Sequence, residues 1–304
     1  MMQTVTTQSI RKQQPKVTET ITFTKRISQI GTIALALLLG FFVLVYVLLP
    51  IYWMVKSSFQ TNYEIQSVPP LWLPTQFSLD TYRDAVTLIP IGRYMLNSLF
   101  VSSLTAVFAT TIAAMAAYVL ARFRFRFASL ILGIILFTQL IPHITRVFPI
   151  YFFLQDLGLL NTYFGLIFAY TGFSIPYAVM MLQSYFRSSC PPELEEAGMI
   201  DGCSYFGAFW RIVLPVSLPG IVAIGTFTFL GAWNDFLWAS LLLNRGELKT
   251  LQVGLREFMG EGGTIQNANV FMAACVLATI PAVILFIFLQ RYMINGISAG
   301  AIKG

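Results

Sequence analysis

Six stretches of this chain are apolar over lengths that a lipid bilayer demands, and no other feature limits its fold so tightly. A helix crossing the hydrocarbon core needs about 20 mostly apolar residues, because every backbone N–H and C=O must be satisfied within the segment. The runs are 31–53, the interval from Arg93 to Arg122, 128–141, the interval from Asp156 to Arg187 centred near Tyr170, 219–243 and 270–290. Pro142 closes the third, Gly172 and Pro176 are expected to bend the fourth, and Pro281 lies inside the sixth. With 57% hydrophobic and 11% charged residues and a mean hydropathy of +0.73, an ordinary soluble domain is excluded. The expected fold class is an all-α integral membrane protein with six transmembrane helices.

The basic residues orient this array, since loops on the cytoplasmic side carry an excess of Lys and Arg. Twelve of the 19 lie on one side: Arg11, Lys12, Lys16, Lys25, Arg26, Arg122, Arg124, Arg126, Arg187, Arg211, Arg291 and Lys303. Both termini are therefore expected in the cytoplasm of a cell whose plasma membrane holds the chain. Orientation also accounts for the net charge of +6, because no basic face with interleaved aromatics exists to hold a nucleic acid. Residues 1–26 are polar, rich in Thr and Gln, and read as a flexible tail; the apolar run after them is too long and lacks the cleavage site of a secretory signal. Cys190, Cys203 and Cys275 have no metal-ligand spacing, and two fall in the cytoplasmic block, where disulfides do not persist. Outside, the connection from Lys56 to Arg93 has the proline and aromatic content either of a docking surface or of a cap over the helices. The connection from Arg245 to Asn269 carries Gly260, Gly262 and Gly263 and reads as pliable.

The most polar block between two apolar runs is 191–220, PPELEEAGMIDGCSYFGAFWRIVLPVSLPG. Pro191 and Pro192 suit a helix start, and Glu193, Glu195 and Glu196 complement its positive end. Leu194, Ala197, Gly198 and Asp201 share a narrow face with small residues at its centre, which another protein can approach closely. Gly202 turns the chain into a second helix, where Phe206, Phe209, Trp210 and Val213 make an aromatic face ended by Pro215 and Pro219. An amphipathic hairpin lying on the membrane would show similar composition. The spacing, however, is specific: Glu196-Ala197-Gly198, three residues, Gly202, nine residues, then Ile212-x-Leu214-Pro215.

That pattern resembles the EAA loop of binding-protein-dependent ABC importers, with Gly198 in place of the second alanine. In this family the loop lies between the fourth and fifth helices and docks on an ATPase, so the resemblance assigns coupling to Glu196, Ala197, Gly198, Asp201, Gly202, Ile212, Leu214 and Pro215. The 27–304 region would be the transporter domain, with 291–304 as a cytoplasmic tail. The end of the chain, Gly296 to Gly304, Gln290-Arg-Tyr and Trp233-Asn234-Asp235 resemble the carbohydrate branch, the maltose-type permeases. The resemblance implies a second homologous permease, two ATPase subunits, an extracytoplasmic solute-binding protein, surrounding lipid, and a sugar or sugar-like solute.

No Gly-x-x-x-x-Gly-Lys-Ser/Thr phosphate loop occurs in the chain, so ATP and Mg would belong to the partner ATPase and no cofactor to this subunit. No nucleophile–base pair or metal pattern is present either, so no catalytic or metal-binding residue is assigned. Asp235 is the one acid placed well inside an apolar run, which points to a wet pathway or gate with Trp233 and Asn234, or else to a cap on a neighbouring helix. His143, the sole histidine, receives no role. Glycerol phosphate or another non-sugar solute is the alternative within the family. An ion-coupled secondary transporter would call for inverted repeats and more intramembrane charge than Asp235.

Overall fold

A computed structural model describes the backbone of residues 17–260 and 267–301, and the side chains of 31–260 and 267–292. Every regular element among them is helical. Helix α1, Val17–Ser58, begins inside the segment expected to be a flexible tail. After Pro15 no proline or glycine interrupts the chain until Gly31, so a helix already nucleated in the apolar run extends outward at little cost per residue. Over 31–49 it is apolar on every side, which suits a helix solvated by lipid. Residues 1–16 lie outside the described part.

Residues 54–304 form the second compact unit. Its first part holds two short helices, α2 (Asn62–Ile65) and α3 (Asp80–Leu88), which precede α4, Ile91–Arg122. Next come α5 (Ala128–Leu140), a 3-10 turn at His143–Arg146, and α6, Val147–Asp156. Helix α7, Tyr163–Ser189, keeps Pro176 inside it. The polar block follows as α8 (Pro192–Ile200), α9 (Tyr205–Ala208), a π-helical turn at Phe209–Val213 and α10, Leu214–Val216. Then come α11 (Leu218–Trp233), α12 (Leu237–Leu242), α13 (Leu251–Phe258) and α14, Ala268–Ala301.

The core is assembled on α4. Ala109, Ala113 and Ala117, all fully buried, occupy successive turns of one face and bring the α7 and α11 backbones close. Within lipid, where apolar surface gains nothing by leaving the solvent, such small residues carry helix association through van der Waals contact. Both α4 and α7 end beside Arg122, which donates to the carbonyls of Phe186 and Cys190, so they run parallel; α11 returns against both, its Gly220 on the Tyr185 ring.

Among the described residues four helices are long and apolar enough to cross a membrane: Gly31–Ser58, Ile91–Arg122, Tyr163–Ser189 and Ala268–Tyr292. Two bent pairs qualify jointly, Ala128–Leu140 with His143–Asp156 at 99° and Tyr205–Val216 with Leu218–Trp233 at 77°. The third run breaks at Pro142 as expected: α5 stops at Leu140, about 20 Å long at 1.5 Å per residue and short of a ~30 Å hydrocarbon core, and the 99° bend sends α6 across its axis. The fifth run is also broken, since α11 stops at Trp233 rather than continuing to 243. At the C-terminus the backbone stays helical to Ala301, so most of the expected tail extends α14. Nor does Pro215 end the second helix of the polar block. Lacking an N–H and clashing with the carbonyl four residues back, it lies just past a widened π turn, and the helix continues to Val216.

The first part of the connection from Arg245 to Asn269 is helical and fixed to α4: Asn97 donates to the carbonyls of Glu247 and Lys249, both at 2.9 Å, and Ser98 Oγ accepts from Leu251 N at 2.8 Å. Of its glycines, Gly262 and Gly263 lie outside the described residues.

Candidate functional site

Two places on the 54–304 unit bring together residues singled out from the sequence. The first is α8 with the turn after it. Pro192 occupies the first turn of α8, and three bonds close its end: Asp201 N to Ala197 O (3.0 Å), Gly202 N to Met199 O (3.0 Å) and Cys203 N to Gly198 O (2.9 Å). Gly202 has φ +91°, the left-handed region that glycine enters without steric cost. Ser204 Oγ then accepts from Gly207 N at 3.2 Å and caps α9, so the reversal is fixed on both sides.

What holds α8 against the membrane helices is a residue that sequence reasoning left as a helix-end charge. Glu195 is buried and pairs with Arg122 at 2.5 Å, the side chains being 6% and 10% exposed. The Tyr118 hydroxyl lies 3.1 Å from Glu195 Oε2, and the Tyr118 ring packs on Phe209 with centroids 4.9 Å apart. Arg122 also reaches the carbonyls of Cys190 at 2.5 Å and Phe186 at 3.3 Å, so one guanidinium ties the ends of α4 and α7 to α8. Burial pushes the Cys190 thiol above its ordinary value, and it stays protonated beside this pair.

The expected docking face is redistributed by this packing. Glu196, Ala197 and Asp201 are exposed, as are Leu194 and, at 86%, Ile200. Gly198 instead turns inward: a Cβ there would overlap Ile212 Cδ1. Its small size therefore serves contact within the chain, and Ile200 takes its place on the open face. Ile212 and Leu214 are half-buried and Pro215 is exposed.

The second place is a cavity of about 450 Å³ between α5, α7, α11 and α12. Asp235 lines it, with its Oδ1 accepting from the Tyr170 hydroxyl at 2.7 Å and from the N–H groups of Trp238 at 3.0 Å and Ala239 at 3.2 Å. It thus caps α12, one of the two roles open to it from sequence, and faces the cavity as well. Oδ2 accepts no hydrogen bond from the described residues. Tyr170, Phe173, Tyr177 and Trp238 supply aromatic walls, and His143 lines the cavity beside Phe173, with centroids 6.3 Å apart. The companions of Asp235 go elsewhere: Trp233 is 2% exposed and stacked on Phe229 at 5.8 Å, while Asn234 is exposed and donates to Leu230 O at 2.9 Å. The break at 234–236 that turns Asp235 inward has no signal in the run itself, whereas the aromatic spacing of Tyr170, Phe173 and Tyr177 along one helix face was available.

The family described as "Binding-protein-dependent transport system inner membrane component" matches residues 109–298. The sulfoquinovosyl glycerol transport system permease protein SmoH of Agrobacterium fabrum is 34% identical over 84% of this chain and 89% of its own length. The trehalose/maltose transport system permease protein MalG of Thermococcus litoralis is 33% identical over 84% of this chain and 92% of its own. In fold, the chain is similar to one chain of a bacterial ABC transporter involved in the import of the acidic polysaccharide alginate, with a TM-score of 0.74 and 24% identity over 88% of this chain and 98% of that one.

Proposed function

We propose, for a chain that belongs to the family of binding-protein-dependent transport system inner membrane components, that it imports a sugar or sugar-like solute and couples to ATP through α8. Membership makes it a membrane-embedded permease subunit of an ABC importer. The solute class is carried by one observation: relatives at 33–34% identity, covering 84% of this chain, bear saccharide or glycoside names. The cavity is compatible with that class, since aromatic faces stack on sugar rings and the free oxygen of Asp235 accepts from hydroxyls.

In this reading each bent pair is one span, which makes six, and the arginine-bearing ends of α4 and α7 lie in the cytoplasm with both termini. The 191–220 loop then meets an ATPase subunit through Glu196, Ala197, Ile200 and Asp201, while Gly202 permits the reversal into the motif's second half. The complete machine has a second homologous permease, two ATPase subunits that hold ATP and Mg, and a solute-binding protein outside. ATP-driven closure of the ATPase pair moves α8, and α8 moves the membrane helices between two states.

Reconstitution of the chain with its partner permease, ATPase and binding protein in vesicles tests this. ATP-dependent uptake of a labelled oligosaccharide or glycoside is expected, with none of glycerol phosphate; preference for glycerol phosphate would overturn the solute class. The chain without its partners should hydrolyse no ATP.

A further inference from the structure

At the ends of α4 and α7 a second cavity, of about 850 Å³, opens beside the first turns of α5 and α8. Its lining includes Arg122, Arg124 and Arg187, together with Phe123, Phe125 and Ser129. We propose that it binds the phosphate headgroup of an anionic phospholipid. The proposal rests on the orientation read above, which turns this end toward the cytoplasmic leaflet, where anionic lipids give the surface its negative potential.

Charge bookkeeping at the cavity leaves it positive. Arg122 is neutralised by Glu195. Among the described residues Arg187 donates only to the Leu120 carbonyl, at 3.1 Å, which is neutral. Arg124 is exposed and makes no hydrogen bond or ion pair with the described residues. Among the described residues two guanidinium charges thus remain without a carboxylate, on a site where the N-terminal turn of α5, which holds no acid, adds the positive end of its dipole. Helix α5 has no side-chain cap; Ala128 N donates to Phe125 O at 3.1 Å, which leaves the N–H groups of Ser129 and Leu130 and the Ser129 hydroxyl for phosphate oxygens.

The surroundings favour a lipid over an acidic protein segment. Phe123, Phe125 and Phe127 alternate with the arginines and are 38%, 38% and 51% exposed. From the cavity edge, Leu130, Ile134 and Phe137 follow one face of α5 into the membrane at 58%, 56% and 64% exposure, and α5 has no buried residue at all. A headgroup in the cavity would lay its acyl chains along that stripe. An acidic peptide would have no contact to make there.

The test uses the assembled transporter in nanodiscs of phosphatidylcholine with a minor fraction of phosphatidylglycerol, the retained lipid being counted by native mass spectrometry. Phosphatidylglycerol retained in preference to phosphatidylcholine is expected. Arg124→Gln should lower its retention about fivefold, the factor for one arginine near an anionic headgroup. Arg124→Lys should largely restore it, and Arg126→Gln, whose guanidinium stacks on Phe127 at 4.8 Å, should leave it unchanged. Since Arg124 makes no internal bond, its loss does not threaten folding. Equal retention by wild type and Arg124→Gln, or equal retention of both lipids, would overturn the site. So would displacement by millimolar inorganic phosphate, which would mark a free-anion site, or cross-linking of a cysteine at 124 to the ATPase, which would mark a protein contact. None of these counts requires a solute, so a wrong solute class would leave them untouched.

Discussion

Gly198 and Ile212 belong to the same recurring pattern, and the structure puts them in contact, which gives a physical reason for a small residue at one and a branched aliphatic at the other. The atom that a Cβ at 198 would overlap is the terminal methyl of Ile212, the part of that side chain easiest to move. Gly198→Ala should therefore leave the unfolding temperature of the purified complex nearly unchanged, as the helix-propensity gain of about 1 kcal/mol offsets the displaced methyl. Gly198→Leu cannot be absorbed that way and should destabilise by about 1–3 kcal/mol. Ile212→Val, which removes the overlapping methyl, should recover part of the loss when combined with Gly198→Leu and little on the Gly198→Ala background. Thermal unfolding of the four variants decides it, and a Gly198→Leu protein that melts with the wild type would show that the contact does not matter.

Among the elements, the segment after α1 shows how one carboxylate can organise a loop that has almost no core. Glu64 Oε1 accepts from both the hydroxyl and the N–H of Thr75, the latter at 2.8 Å, while Oε2 accepts from Thr61 N at 2.9 Å in a capping box at the start of α2. These bonds, the Thr75 hydroxyl first and the Thr61 N–H next, hold the carboxyl below its ordinary value of 4.5 against the opposing effect of burial. A group with a lowered folded value stabilises fully above its unfolded value, and the contribution disappears as pH falls through the folded one. The protection of the Thr61 and Thr75 amides, their exchange rate measured against the intrinsic rate at each pH, should accordingly be flat above about pH 5 and fall on acidification below 4.5. In Glu64→Gln the protection should be low throughout, with no acid step; an acid step that survives this substitution would assign it to another group.

The same scale shows what the sequence could and could not disclose. Helix α8 was legible because Pro191, Pro192, the acids behind them and Gly202 are local signals whose meaning does not depend on the fold. The course of the chain after α5 was not, because Pro142 marks the end of that helix but carries no signal for the 99° at which α6 leaves it. Glu195 was illegible for another reason. Between Leu194 and Glu196 in a short helix it has the look of a surface acid, and only the parallel ends of α4 and α7 bring Arg122 to it.

Across the 54–304 unit, the buried pair sits at the C-terminal end of α7 and the aromatic cavity lies along its middle. Arg122 is bonded near its C-terminus at Phe186 and Cys190, and Asp235 in the middle of it at Tyr170. A motion of α8 would enter this frame through Glu195, which meets Arg122 and the Tyr118 hydroxyl, backed by the Tyr118–Phe209 contact. Removing one member of a buried pair leaves the other charge uncompensated and costs about 3–5 kcal/mol, so Glu195→Ala would confuse loss of coupling with loss of folding. Arg122→Lys is the sharper probe. It keeps the charge but loses the planar fork that reaches Glu195 and the two carbonyls together. Since Glu196, Ala197 and Ile200 on the open face of α8 are untouched, ATPase copurification should survive this change, whereas stimulation of ATP hydrolysis by the solute-loaded binding protein should fall about tenfold, as for a coupling free energy of ~1.4 kcal/mol. Glu195→Asp, which retracts the carboxylate by one methylene, should reproduce that separation. Wild-type stimulation in both variants would mean that the apolar contacts of Phe209 and Val213 carry the motion without the ion pair. Loss of the ATPase from the purified complex would instead mean that the pair sets the shape of the docking face.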